Sequence, residues 1–224
     1  MSNEQLTPRE VPAITDFISD SDMTEYGQEL KTGRMEPHRF DVFGGAVYDR
    51  AIAAGCTVGI IAGDVNQLKA VNDYAGHAAG DNIISVVAGA MRSEADLVLR
   101  VGGDEFEVIV VIKDKDDIYG IQGRIEALVD AYVASDDGKE IFKGINTGVA
   151  LGCSVANRED NKSFAELKAE ADKNLFADKF KTIEALTPEE MQKFSELFER
   201  MEKDGIDPAQ FFKYLAYIAQ KKSS

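Results

Sequence analysis

TVGIIAGDVNQLKAVNDYAGHAAGD, residues 57–81, and LVLRVGGDEFEVIVVI, residues 97–112, decide how this chain folds. Thr57 to Gly63 reads as a buried strand ending on the carboxylate Asp64. Leu97 to Val101 reads as a second strand, turning through Gly102-Gly103-Asp104-Glu105 into a third, Phe106 to Ile112. Between them Ile83, Ile84, Val87 and Met91 recur at helical spacing, which predicts an amphipathic helix from Asp81 to about Arg92. A right-handed crossover makes the first two strands parallel and leaves room for the third between them, antiparallel to both. The hairpin tip then lies beside the carboxyl end of the first strand. Asp64 and Asp104, 40 residues apart, are expected to meet there. Carboxylates brought that close repel unless a cation lies between them, and a hard ion such as Mg²⁺ suits them. The glycines before Asp104 let backbone approach a bulky phosphate. The stretch therefore points to a metal-dependent nucleotide site.

The same residues carry a family resemblance. The pattern D-x-N-x-L-K-x-x-N-D-x-x-G-H-x-x-G-D stands at Asp64, Asn66, Leu68, Lys69, Asn72, Asp73, Gly76, His77, Gly80 and Asp81, and the pentapeptide GGDEF at Gly102 to Phe106. TGVALGCSVA, Thr147 to Ala156, looks like a last core strand. ADKNLFADK, Ala171 to Lys179, looks like a closing A-D-x-A-L-Y-x-A-K helix. In that order and spacing the chain resembles the GGDEF family, the diguanylate cyclases, over roughly Met35 to Lys181. The resemblance implies an α/β (α+β) fold, with a ferredoxin-like, palm-type mixed sheet and flanking helices. It divides the chain into an N-terminal helical or irregular extension (1–34), a GGDEF-like nucleotidyl cyclase domain (35–182) and a C-terminal helical hairpin (187–222).

Composition is consistent with this. A chain of 224 residues suits one domain with appendages. A net charge of −15 repels nucleic acid and anionic membranes, and obliges a phosphate site to rely on metal ions and a few local lysines. The two cysteines, Cys56 and Cys153, flank apolar runs and read as reduced packing residues. No run is long and apolar enough to span a membrane and no secretory segment is evident, so a cytoplasmic protein is expected.

Outside the central stretch, Thr7-Pro8-Arg9-Glu10 is a possible capping box, and a short helix is expected near Met23 to Leu30. Phe40, Phe43, Val47 and Ala51 share one helix face, as do Ile118, Ile121, Ile125, Leu128, Val129 and Tyr132, a helix that Asp136-Asp137-Gly138 is expected to end. Ser163 to Glu166 is a capping box for a helix with Phe164, Leu167, Ala171 and Leu175 inward. Past Thr187 two amphipathic helices carry Met191, Phe194, Phe198 and Met201, then Phe211, Tyr214, Leu215 and Ile218. These either pack on the domain or form a dimer or protein-partner surface.

The resemblance also assigns roles. Asp64, with the carbonyl of Val65, matches the first metal ligand; its plain alternative is a helix N-cap. Asp104 matches a metal ligand and the base for an attacking 3′-hydroxyl, and Glu105 a supporting carboxylate. Their alternative is a solvated turn. Lys69 and Lys179 match lysines that contact the triphosphate. Asn72 and Asp81 match the pair that reads guanine, the carboxylate accepting from the ring N–H and exocyclic amine. Leu68, Gly102 and Gly103 complete the substrate set. His77 reads as structural, and Arg100 as a residue that orients the hairpin or serves a partner subunit. Implied partners are GTP, Mg²⁺ (or Mn²⁺) and a second copy of the chain, because one half-site cannot close the ring of cyclic di-GMP.

Three departures stand out. Thr182-Ile183-Glu184 replaces a G-R-N that should follow Lys179. Ser93 stands where the R-x-x-D product site, in register at Asp96, has arginine. Only Thr32, Gly33 and Arg39 survive of the opening D-x-L-T-G-L-x-N-R. Two functions follow: a GTP-specific diguanylate cyclase, or a weak or inactive GGDEF-like nucleotide-binding or structural module acting through protein contacts.

Overall fold

The computed structural model describes residues 11–181. Its centre is β1 (Thr57–Asn66), flanked by β3 (Glu105–Ile112) and β4 (Gly148–Ala156), with β2 (Leu97–Arg100) outside β3. The order is β2-β3-β1-β4, and every adjacent pair is antiparallel. β1 and β2 therefore run in the same direction with β3 between them, as the crossover geometry requires.

Helices cover both faces, because the strands are apolar on both. Ile61, Val65 and Val108 pack with α4 (His77–Glu94) and α5 (Asp117–Ala134) through Ile83, Val87, Met91, Ile118 and Ile125. Ile60, Ile109 and Leu99 pack with α2 (Pro37–Ala53) and α7 (Phe164–Lys181) through Phe40, Phe43, Val47, Phe164 and Leu167. This is the ferredoxin-like, palm-type architecture. The Ser163 capping box forms, its hydroxyl and N–H both held by Glu166 at 2.7 and 2.8 Å. α1 (Asp20–Thr32) is longer than expected, since Ser19 and Asp22 make a capping box that starts it early. It belongs to the same core, with the Tyr26 ring tilted against Phe43 at 5.2 Å and Ile14 buried nearby.

Three local expectations are corrected. β1 continues through Asn66, so Asp64 lies inside the strand and is not a helix cap; the residue before α3 (Leu68–Ala75) is Gln67, at a left-handed φ of 56°. Between β1 and the next helix lies a two-turn helix that the periodicity did not predict, and α4 begins at His77, four residues before the expected Asp81. Asp136-Asp137-Gly138 opens rather than closes a helix: Ser135 ends α5 and its hydroxyl accepts from the Gly138 N–H, at 3.1 Å, to cap α6 (Asp136–Phe142). Cys56 and Cys153 are free thiols. Among the described residues no helix is long and apolar enough to cross a membrane. Thr7 to Glu10, the stretch 182–184 and the 187–222 hairpin lie outside the described residues.

Candidate functional site

The carboxyl end of β1 and the β2–β3 hairpin meet at one end of the sheet. Asp64 stands opposite Glu105 in register, and the Val65 N–H donates to the Asp104 carbonyl at 3.0 Å. The hairpin is closed by the N–H groups of Val101 and Gly102 on the Glu105 carbonyl, at 3.0 and 3.3 Å. Arg100 ties the tip, its guanidinium donating to the Gly103 carbonyl, with Nε at 3.2 Å. Each glycine has its own task. The Glu105 carboxylate lies over Gly102, where any Cβ would strike it, whereas Gly103 faces open space on an exposed turn.

Asp64 is the electrostatic centre. Burial pushes its carboxyl up to about 6, the Lys179 ammonium opposes this, and the charges of Asp104 and Glu105 add to it. Lys179 Nζ, from the far end of α7, sits 2.7 Å from Asp64 Oδ2. Lys179 and Asp64 are thus brought together directly, a pairing that neither local sequence contains.

A second cluster forms between α3 and α4. The half-buried side chain of Asn72 lies against Gly80, so closely that a Cβ on Gly80 would run into its Oδ1. Asp81 follows, exposed, just past the first turn of α4. Leu68 is half-buried against the core and Lys69 is exposed in the first turn of α3. Arg100 links the two clusters electrostatically, since both Asp81 and Asp104 act on its charge. His77 is exposed at the start of α4.

The donors near Asp64 are the hard oxygens a divalent ion requires. Among the described residues no three His, Cys, Asp or Glu side chains are spaced to hold a metal ion by themselves. Mg²⁺ usually takes one or two carboxylates and completes its shell with water and substrate phosphates. Asp64, Asp104 and the Val65 carbonyl would hold it. At present the counter-ion beside Asp64 is Lys179.

One ionisable group escaped the sequence reading. Glu107, inside the apolar run of β3, is 5 % exposed and its Oε2 has no hydrogen-bond partner. Lys168 is 3.7 Å away, too far for a good hydrogen bond, and is already bonded to Asp41 at 2.6 Å. Burial therefore wins and pushes the Glu107 carboxyl up to about 8. The available signal was its alternation with Glu105, which puts both on one face of β3.

Comparison with known proteins agrees with this fold. Residues 46–183, more than half of the chain, match the family model described as the diguanylate cyclase GGDEF domain. The chain is 36 % identical over 92 residues to diguanylate cyclase TpbB of Pseudomonas aeruginosa, covering 39 % of this chain and 21 % of that protein. It is 32 % identical over 126 residues to diguanylate cyclase A of Treponema denticola, covering 55 % and 33 %. It thus spans about a fifth to a third of the length of these relatives. Among solved structures, the GGDEF domain of P. aeruginosa TpbB superposes with a TM-score of 0.55 at 25 % identity, over 66 % of this chain and 91 % of that one. A sensory box/GGDEF family protein from Caulobacter crescentus gives 0.53 at 27 %, over 66 % and 94 %. The chain belongs to the GGDEF family, that of the diguanylate cyclase domain.

Proposed function

We propose that this chain is a diguanylate cyclase, condensing two GTP molecules into cyclic di-GMP with release of pyrophosphate. The observation that carries the reading is the convergence of Asp64, Asp104 and Lys179 at one sheet end, with Asp81 acting on the charge of Arg100 in the same hairpin.

In this reading Asn72 and Asp81 hold the guanine edge, a donor pair that adenine does not offer the carboxylate. Gly103, facing open space, lets the backbone approach the ribose and phosphates without a side chain in the way, and Gly102 leaves room for the Glu105 carboxylate. Leu68 lines the phosphate end, and Lys69 and Lys179 balance triphosphate charge there as point cations. Asp104 takes the proton of one 3′-hydroxyl, Glu105 supporting it. The freed oxygen forms a bond to the α-phosphorus of the other nucleotide, and the bond to the β-phosphate bridge breaks as pyrophosphate leaves. A bound Mg²⁺ (or Mn²⁺) supplies Lewis-acid stabilisation of the phosphate charge. Each chain holds one nucleotide, so two copies must face each other, and the step is made twice.

The test is to incubate the full chain with GTP and Mg²⁺ and measure cyclic di-GMP and pyrophosphate, with Asp104→Ala as control. Product from the wild type alone supports the reading. GTP binding with no product favours the second function, a nucleotide-binding module acting through protein contacts, which the loss of the arginine expected near Ile183 motivates.

A further inference from the structure

Among the described residues β4 is an edge strand, so one row of its backbone groups has no neighbouring strand there to bond. Side chains from two helices take that row. Asp178 Oδ2 accepts from the Leu151 N–H at 3.2 Å, Asn174 Nδ2 donates to the Cys153 carbonyl at 2.7 Å, and Gln122 of α5 donates to the Leu151 carbonyl at 3.4 Å. Asn174 and Asp178 are one helical turn apart on α7, a rise of about 6 Å, close to the roughly 7 Å between alternate residues of a strand. The helix can therefore grip the strand edge at two successive outward positions. Between those positions Gly152 carries no side chain, and a Cβ there would collide with the backbone of Ala171 and Leu175. α7 thus lies backbone-close on β4, bonded to its free edge.

This grip is placed where it bears on the site. Lys179 follows Asp178 directly and reaches Asp64 at 2.7 Å. A lysine head on a four-carbon stem is only as well placed as the helix turn it leaves from. Both gripping residues also depart from the A-D-x-A-L-Y-x-A-K pattern quoted above, which has alanine at each place. The chain after Lys179 departs too, Ile183 standing where a phosphate-binding arginine is expected, which leaves Lys179 as the cation of this segment assigned to the triphosphate.

We propose that Asn174 and Asp178 are positioning residues for nucleotide binding: by registering the last turns of α7 on the open edge of β4, they hold Lys179 in place for the triphosphate. The proposal rests on the nucleotide reading of the site given above. Neither residue touches the reacting atoms, so loosening the grip weakens substrate binding and leaves the chemical step alone.

The experiment uses the full chain and reads four things: KM and kcat for GTP, calorimetric affinity for a non-hydrolysable GTP analogue, and melting temperature. Asn174→Ala/Asp178→Ala is expected to raise KM, and to weaken the analogue, by about five- to tenfold, the scale of one or two lost hydrogen bonds. kcat stays within about twofold, because the acids are untouched. Asp178→Asn keeps an acceptor for the Leu151 N–H and is expected to bind within about twofold of wild type. In a Lys179→Met background the double change adds nothing further, since its effect runs through Lys179. Should the double variant fail to fold, Asn174→Ala and Asp178→Asn compared singly carry the same contrast. A purely structural role instead lowers melting temperature with KM unchanged, and that result overturns the proposal. So does an Asp178→Asn variant as impaired as Asp178→Ala, or an equal further loss in the Lys179→Met background. If the wild type neither binds the analogue nor turns over GTP, the functional reading itself falls and the grip with it. If the wild type binds and the double variant binds equally, only the grip falls.

Discussion

The two halves of the candidate site are built by different means. Asn72, Gly80 and Asp81 lie within ten residues of one another and meet because α3 turns directly into α4. Asp64, Asp104 and Lys179 come from a central strand, a hairpin and the last helix, and meet only because the whole sheet and α7 are in register. The local half depends on shape, a glycine that makes room for an amide. The distant half depends on charge, a half-buried acid raised to about 6 among other acids and answered by one ammonium. Disturbing the first should change which nucleotide is held; disturbing the second should change whether anything happens to it.

The largest expected effect lies in the distant half. Asp104→Ala should cut turnover by about 10²- to 10⁴-fold, the usual worth of a general base, with analogue affinity largely kept. Steady-state assay beside calorimetry separates the two quantities. Equal losses in both would break the distinction. In the local half, Asn72→Ala or Asp81→Ala should raise KM for GTP by about 10- to 100-fold, through buried or pocket hydrogen bonds lost, and narrow the preference for GTP over ATP. Competition binding with both nucleotides checks this.

Gly80→Ala sharpens the comparison further. Its new methyl runs into Asn72 Oδ1, so it should reproduce the Asn72→Ala binding defect without touching the amide's chemistry. Because the struck amide is the end of a half-buried side chain that can turn away, the stability loss should stay within about 1 kcal/mol, measurable by urea unfolding. A fully functional Gly80→Ala protein would mean that the Asn72 contact is incidental.

The smallest effect concerns Glu107, below the distant half. Its carboxyl is raised from 4.5 to about 8, so across that window the folded chain binds more protons than the unfolded one. The stability this group contributes is complete below about pH 4.5 and is lost as pH rises through about 8. Glu107→Gln should therefore flatten the fall in stability between about pH 4.5 and 8 and raise the melting temperature above pH 8, by a few degrees for each kcal/mol regained in a chain of about this size. Identical profiles for the two proteins would show that Lys168 keeps the carboxylate charged throughout.

The same contrast explains what could be read in the sequence. The strands of β1, β2 and β3 were legible as apolar runs, and the hairpin as Gly-Gly-Asp-Glu between two of them. α2, α5 and α7 were legible from side chains repeating on one face. α3 was not, because two turns hold too few repeats and its first residue follows a left-handed Gln67 rather than a capping side chain. The residues of both site halves were named from a motif, yet their partners were not. The contact of Asn72 with Gly80 and the ion pair of Lys179 with Asp64 are properties of packing across elements. Glu107 was hidden for the opposite reason: one acid in a run of valines and isoleucines leaves the strand signal intact. Asn174 and Asp178 were likewise invisible as edge contacts, since nothing in α7 itself says which strand ends the sheet.

The measurement that bears most directly on the account is the mass balance of GTP turnover by the full chain with Mg²⁺. Two pyrophosphates released for each cyclic di-GMP formed, with none from Asp104→Ala, is the expected result. GTP bound at the site and recovered unchanged, at chain concentrations high enough for two copies to meet, would contradict it.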